Sequence, residues 1–552
     1  MTATTPISAR RIALGTVCIT LLLTCALWSA TGQDGAVKFR LRLVDAATGQ
    51  DCAGIVRLLD GEKRTVPLPG LYDRLRGLKV APEFGGWHVV PVKGAETEVP
   101  RGVYRLEAVA GLETELATIE LDLTKNAPAE TVVKLTPAFD PGKLGYIAGN
   151  THLHLMKLTK QDAEDYLRKI PPADRLRVLF ISYLERHQDD AEYITNRYPI
   201  GDVPAFNATG VLVNNGEEHR HNFASHGEGY GHVMFLNIKT LVKPVSLGPG
   251  ITGGGNDDRP LRPGIDDARQ QGGTIIWCHN SFGYEDVLNA LTGRLHALNV
   301  FDGSRRGLFE ESYYRYLNVG LKMPISTGTD WFIYDFARVY VRSADPLTVA
   351  AWLDGLKTGR NQATNGPLLT LRVNDHGCGD TIKLAKPGKV KIEASAQGRN
   401  NFQELQLVHN GKVIRRSAAR AGDAGAAHEV SGLAPPPLTS CAALARASYR
   451  AKLTAEIRVE ETGWFAARVE STTKNELGYQ LFAHTSPVYV EVAGKPMFDV
   501  VSAEALLKQI EEGQAAIGKQ GTFSEPPAGQ KLLALYADAA NELRERINKR
   551  AK

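Results

Sequence analysis

Eight of the chain's fourteen histidines fall between His152 and His279. A solvated surface has no reason to gather imidazoles, whereas a metal site does, because neutral imidazole is a common ligand. Asn150-Thr151-His152-Leu153-His154 follows the apolar run GYIAGN (145–150). In extended chain alternate residues share a face, so both imidazoles can reach one ion. Two ligands alone do not make a site, but further ones recur along the chain. His187 follows RVLFISYL (177–184) and Glu218 follows TGVLVNN (209–215). His232, after Gly229-Tyr230-Gly231, stands just before the apolar residues of HVMFLNI (232–238), His279 ends GTIIWCH (273–279), and Asp330 follows MPISTG (323–328). A set of imidazoles and carboxylates suits Zn, Mn or Fe without choosing among them. One or two such ions would turn water into a hydroxide nucleophile and polarise a carbonyl or phosphoryl oxygen.

These residues need elements that carry them to one place. With ALNVFD (297–302), the apolar runs number seven between residues 141 and 345, and helical segments such as Lys160–Arg168 and Tyr284–Leu291 separate some of them. Strand-like runs alternating with helices predict β/α architecture, in which the functional face is the C-terminal end of the strands. Residues 36–140 read instead as a β-sandwich: five short alternating runs separated by Gly, Pro and Asp. Residues 346–500 open with a helix (Pro346–Thr358) and then turn β again, as a second sandwich with a hairpin at His409–Lys412. Residues 501–552 have the periodicity of a helical hairpin. The glycine-rich stretch Gly248–Asp258 lacks the Gly-Lys-Ser/Thr sequence of a phosphate loop and reads as a mobile surface loop or lid.

In order, N-T-H-L-H, G-E-E, G-H-V, W-C-H-N and S-T-G-T-D resemble the motifs of the PHP (polymerase and histidinol phosphatase) metallohydrolases. G-R-N-Q-A-T-N-G-P-L-L (359–369) is similar to a segment of its carbaryl-hydrolase-like CehA/McbA branch. The resemblance spans roughly residues 141 to 380 and implies an α/β fold with a distorted seven-stranded β/α (PHP-type) barrel. It further implies that His152, His154, Glu218 and Asp330 hold one ion and that Glu218, His232 and His279 hold a second, with Glu218 bridging. The family's third site would need ligands at positions taken here by Lys160 and Phe332, and of that set only His187 remains. One or two ions are therefore expected, with His187 either supporting the ligands or facing the substrate, and His187 or an unassigned acid as the catalytic group that protonates the leaving group. His226, with His219 and His221, can line the substrate pocket or belong to a solvated loop. Arg338, Arg360 and Asn365 either position an anionic group or pair structurally. Glu217 reads as a surface or supporting acid, and Glu285 as a helix cap.

Composition narrows the partners. The formal net charge is only +4, with 65 basic and 61 acidic side chains, and no basic tract stands out. This excludes nucleic acid as an expected partner and leaves a small-molecule substrate. The N-terminus carries Arg10-Arg11, an apolar run from Ile12 to Trp28 and then small residues. Residues 1–32 thus read as a secretory signal or an uncleaved membrane anchor, giving an exported, periplasmic or extracellular protein. Four cysteines lie outside that segment without CxxC spacing, and Cys378 and Cys441 either pair or stay free thiols. The expected activity is metal-dependent hydrolysis of an ester, amide, carbamate or phosphoester. The alternative is an exported envelope- or glycan-binding protein whose metal merely braces the fold.

Overall fold

The computed structural model describes residues 35–125, 128–185, 193–221, 229–252, 254–280, 283–302, 309, 312–422 and 448–551. The expected leader, His187, His226, Cys441 and most of the loop around 423–447 lie outside these residues. Among the described residues no helix is long and apolar enough to cross a membrane. The chain is a mixed α/β protein, rich in strands and built from several sheets.

The N-terminal region follows its alternation. Strand Val37–Asp45 pairs antiparallel with Ala95–Val99 and parallel with Glu130–Leu135. A second sheet places Gly54–Leu59 beside Val103–Val109, which pairs on with Ala117–Asp122. Phe39, Leu41 and Leu43 from the first sheet meet Val56, Leu58 and Leu106 from the second in one apolar core, as in a sandwich. The region after residue 365 does the same. Leu369, Leu371, Val390 and Ile392 pack against Leu405, Leu407, Phe465 and Val490.

The central region holds β1 (Tyr146–Asn150), β2 (Leu153–His154), α1 (Lys160–Ala173), β3 (Val178–Tyr183), β4 (Leu212–His221) and β5 (Gly231–Leu236). It continues with α2 (Arg262–Gln270), β6 (Thr274–Trp277), β7 (Ala297–Asn299), β8 (Ile325–Ser326), β9 (Asp330–Trp331), β10 (Arg338–Arg342), α3 (Val349–Lys357) and β11 (Asn361–Thr364). Strands β1, β3 and β4 are parallel, as are β6, β7 and β8. Between the two trios, β5 runs antiparallel to both β4 and β6. The sheet is therefore mixed. Val178, Phe180, Met234, Ile276 and Val339 pack with Trp352 of α3 on one side, while Leu179 and Ile181 meet Tyr166, Leu167 and Ile170 of α1 on the other. Burial on both faces explains why VLFISY shows no polar alternation.

Hydrogen bonding does not stop at residue 345. Strand β10 pairs with β1 and with β11, and β11 pairs with Gln480–Thr485 of the strand-rich region that follows. The C-terminal helices Val500–Gln520 and Pro526–Ala551 bury Leu506, Ile510, Ile517, Tyr536 and Leu543 against the same core as Tyr230, Trp277 and Tyr313. Gly248–Asp258 is pinned at its far end rather than free: Asp257 accepts from Thr522 N at 2.7 Å and Asp258 from Ser524 N at 2.9 Å.

Candidate metal centre

Each motif has a local reason to hold its shape. Asn150 Oδ1 accepts from His152 N at 3.0 Å, and its Nδ2 donates to Thr329 Oγ1 at 2.8 Å. Thr151 Oγ1 donates to Thr327 O at 2.9 Å. The first two residues of N-T-H-L-H therefore clamp that motif to S-T-G-T-D. Short strands β2 and β9 pair in parallel, Leu153 opposite Asp330. A Cβ at Gly328 would stand 2.3 Å from that of His152, so only glycine lets the two segments approach. His279 (φ +54°) and Asp330 (φ +59°) both adopt the left-handed conformation that side-chain-bearing residues avoid. Such backbone collects at functional sites, where the surroundings enforce it.

Strand β4 extends to His221, further than its apolar run suggests, so Glu218 lies within the strand. Alternation puts Glu218 and Arg220 on one face and Glu217, His219 and His221 on the other. His232 lies opposite Arg220 in the register with β5. Sequence reasoning set His232 just before its strand. It is the second residue of β5, and because β5 runs antiparallel, its start lies at the end where the parallel strands finish.

The side chains converge. His152 Nε2 and His154 Nε2 are 3.0 Å apart, and Glu218 Oε2 is 2.9 Å from His154 Nε2 and 3.8 Å from His152 Nε2. Asp330 Oδ1 lies 3.5 Å from His152 Nε2 and 3.9 Å from His154 Nε2. The other carboxylate oxygen, Glu218 Oε1, is 3.1 Å from His232 Nδ1 and 3.8 Å from His279 Nε2. Ligands bound about 2.1 Å from a tetrahedral ion stand roughly 3.4 Å from one another, and these separations bracket that value. Two sets, His152/His154/Glu218/Asp330 and Glu218/His232/His279, thus have the donors and spacing to hold a metal ion, and all six residues are buried.

The electrostatics fit a charged occupant. Burial alone would raise the Glu218 carboxyl, yet the Arg220 guanidinium and the three surrounding imidazoles hold it well below the usual carboxylate range. Burial, then the charge of Arg220, pushes His232 down to about 3, so it presents a neutral, ligand-competent ring. Burial raises Asp330, and His152 partly offsets the rise.

Sequence reasoning missed Asp302. Its Oδ2 lies 2.6 Å from His152 Nδ1 and accepts from Asn299 Nδ2 at 3.1 Å. Against the effect of burial, the His152 charge keeps this carboxyl below its ordinary value. A carboxylate on the far nitrogen fixes the tautomer and ring orientation of a ligating histidine. The signal was present, since Asp302 closes the sixth apolar run just as His279 closes the fifth.

Arg338, expected to meet substrate, does not face the ligands. It is fully buried, 3.4 Å from Glu113 Oε1, and donates to the carbonyls of Asp174 and Phe336. It ties β10 to the N-terminal region and the end of α1. Asn365 likewise binds Asp335, and Glu285 accepts from Leu261 N rather than capping its own helix. Lys160 is exposed and Phe332 joins the apolar core. Trp331 and Tyr193 pack at a tilt beside His154, at 5.2 and 5.9 Å between ring centroids, and wall the site.

No family model matches this chain, and neither a curated protein nor a solved structure does.

Proposed function

We propose that this chain is a metal-dependent hydrolase of the PHP type, with the central sheet as a distorted seven-stranded β/α barrel and one or two divalent ions at its mouth. The observation that carries the reading is Glu218. One of its carboxylate oxygens faces His152, His154 and Asp330, and the other faces His232 and His279. A carboxylate turned to two ligand sets in this way suits a bridging role between two ions.

Ions bound there would acidify a coordinated water to near neutrality and polarise the attacked carbonyl or phosphoryl oxygen. The protein's own residues supply the frame. Asp302 holds the ring of His152 so that Nε2 faces the ligand set. Arg220, 3.7 Å from Glu218 Oε2, is a fixed cation on the same face, placed to stabilise negative charge developing on the substrate. Trp331 and Tyr193 shield one flank from water. The substrate is a small ester, amide, carbamate or phosphoester, and the N-terminal segment points to export of the protein.

A second reading draws on Lys160 and Phe332, which stand where third-site ligands would be: a binding protein whose ion is structural. Metal analysis of purified protein, followed by assays on nitrophenyl phosphate, acetate and carbamate with Mn2+ or Zn2+, separates the two. Turnover lost in His152→Ala and Asp330→Ala together with the metal supports the hydrolase. Tight metal without turnover on any substrate favours the second reading, and wild-type protein that takes up no divalent ion overturns both.

A further inference from the structure

Against the ligand ring lies one group that the hydrolase reading leaves unused, the thiol of Cys278. Cys278, one residue before His279, is fully buried in the cluster that holds Phe180, Met234 and Ile276, and its thiol is in hydrogen-bonding contact with His152. The ligand atoms of His152, Cys278, His279 and Asp302 all lie within 4.8 Å of one another. His279 presents its two ring nitrogens to different groups. Nε2 is 3.8 Å from Glu218 Oε1, and Nδ1 is 3.7 Å from Asp302 Oδ2. The second distance is too long for a hydrogen bond and suits two ligands of one ion. Asp302 supplies an independent sign. Its Oδ2 is taken by His152 and Asn299, while its fully buried Oδ1 meets no hydrogen-bond donor among the described residues. A buried carboxylate oxygen left without a donor is costly, and a cation relieves that cost.

We propose that Cys278, His279 and Asp302 form a further metal position, selective for a thiophilic divalent ion such as Zn2+ or Cd2+, which competes with the upper ring for His279. Thiolate is a soft ligand that Mn2+ does not favour. Binding displaces the thiol proton to solvent and forms a sulfur–metal bond. Because one imidazole cannot readily serve ions through both nitrogens, a soft ion here draws His279 away from Glu218. The upper pair is then reduced to the His152/His154/Glu218/Asp330 set. Excess zinc would act as an inhibitor while manganese would not. The inference rests on the reading that the upper ring binds an ion, but its test is separate.

The test titrates metal-free full-length protein with Cd2+ and follows the ultraviolet sulfur-to-cadmium charge-transfer band, with Mn2+ binding measured in parallel by electron paramagnetic resonance. The wild type should show the band, and Cys278→Ser should lose it, with Cd2+ binding at least about tenfold weaker and Mn2+ binding unchanged. His154→Ala, which breaks the upper ring, should keep the band. Cys278→Ala repeats the comparison without a buried hydroxyl, should the serine variant unfold. A wild type that binds Mn2+ but shows no band, or a band that survives both Cys278 variants, overturns this proposal alone. A wild type that binds neither ion overturns the hydrolase reading as well.

Discussion

The two faces of strand β4 carry nearly the same chemistry and use it differently. Glu218 and Arg220 face inward, and Glu217, His219 and His221 face outward, all of them buried. The inward pair meets side chains delivered by four other segments, and Glu218 lies within 4 Å of His152, His154, His232 and His279. The outward trio pairs within itself and with backbone, although Nε2 of His219 and of His221 meets no hydrogen-bond partner among the described residues. Glu217 accepts from Val242 N and pairs with His219 Nδ1, both at 2.7 Å, and His221 Nδ1 lies 2.8 Å from Arg259 O. His219 stacks on Phe235 and sits against Gly264 of α2. Residue type and burial therefore do not mark a metal site. What marks it is a set of donors from several segments whose ligand atoms converge on one point.

The largest test of that contrast exchanges a carboxylate on each face. Glu218→Ala should abolish stoichiometric metal binding and with it all turnover, since two ligand sets lose a shared member. Glu217→Gln should leave metal stoichiometry intact. Inductively coupled plasma analysis of both variants decides the matter, and equal metal loss would erase the distinction between the faces. Next in size is Asp302→Asn, which keeps the shape but not the charge behind His152. It should weaken metal binding about 10- to 100-fold, read by competition with a chelator. Unchanged affinity would reduce Asp302 to a packing role.

Gly264→Ala probes the outward face alone. A Cβ there would stand 2.3 Å from His219 Nε2, and His219 is wedged between Phe235 and α2. Overpacking of this kind costs about 1–3 kcal/mol, so the urea midpoint should fall while metal content stays at the wild-type value. A fall in both would mean that the two faces are coupled through the strand.

Much of this arrangement was legible in the residues. The three motifs that carry His154, His279 and Asp330 stand at short apolar runs, and each of those runs contains a strand. The strand-rich character of the two flanking regions was visible because strands such as Val37–Asp45 expose one face and keep their alternation. Three things were hidden, each for a physical reason. The reversal of β5 leaves no trace in composition, because a strand buried on both faces reads the same in either direction. Asp302 follows its strand by three residues and supports a ligand instead of resembling one. The fate of Arg338 depends on Glu113, 225 residues away in the chain, and no spacing rule reaches that far.

The smallest effect concerns protons on the outward face. Burial first, then the neighbouring His219 and Arg259, hold His221 well below its ordinary value, so the folded protein keeps this ring neutral. In the unfolded chain the same ring titrates near pH 6.5. Below that pH the unfolded state takes up a proton that the folded state refuses, and stability declines as the solution is acidified. The slope per group is at most about 1.4 kcal/mol per pH unit, continuing until the depressed folded value is reached. Above pH 6.5 the group contributes no slope. His221→Gln should therefore flatten the acid limb of a urea-midpoint profile, compared with the wild type in metal-free buffer, and leave the neutral limb parallel. If the two profiles stay parallel throughout, the folded protein does not hold His221 neutral, and burial on the outward face does not suppress its charge.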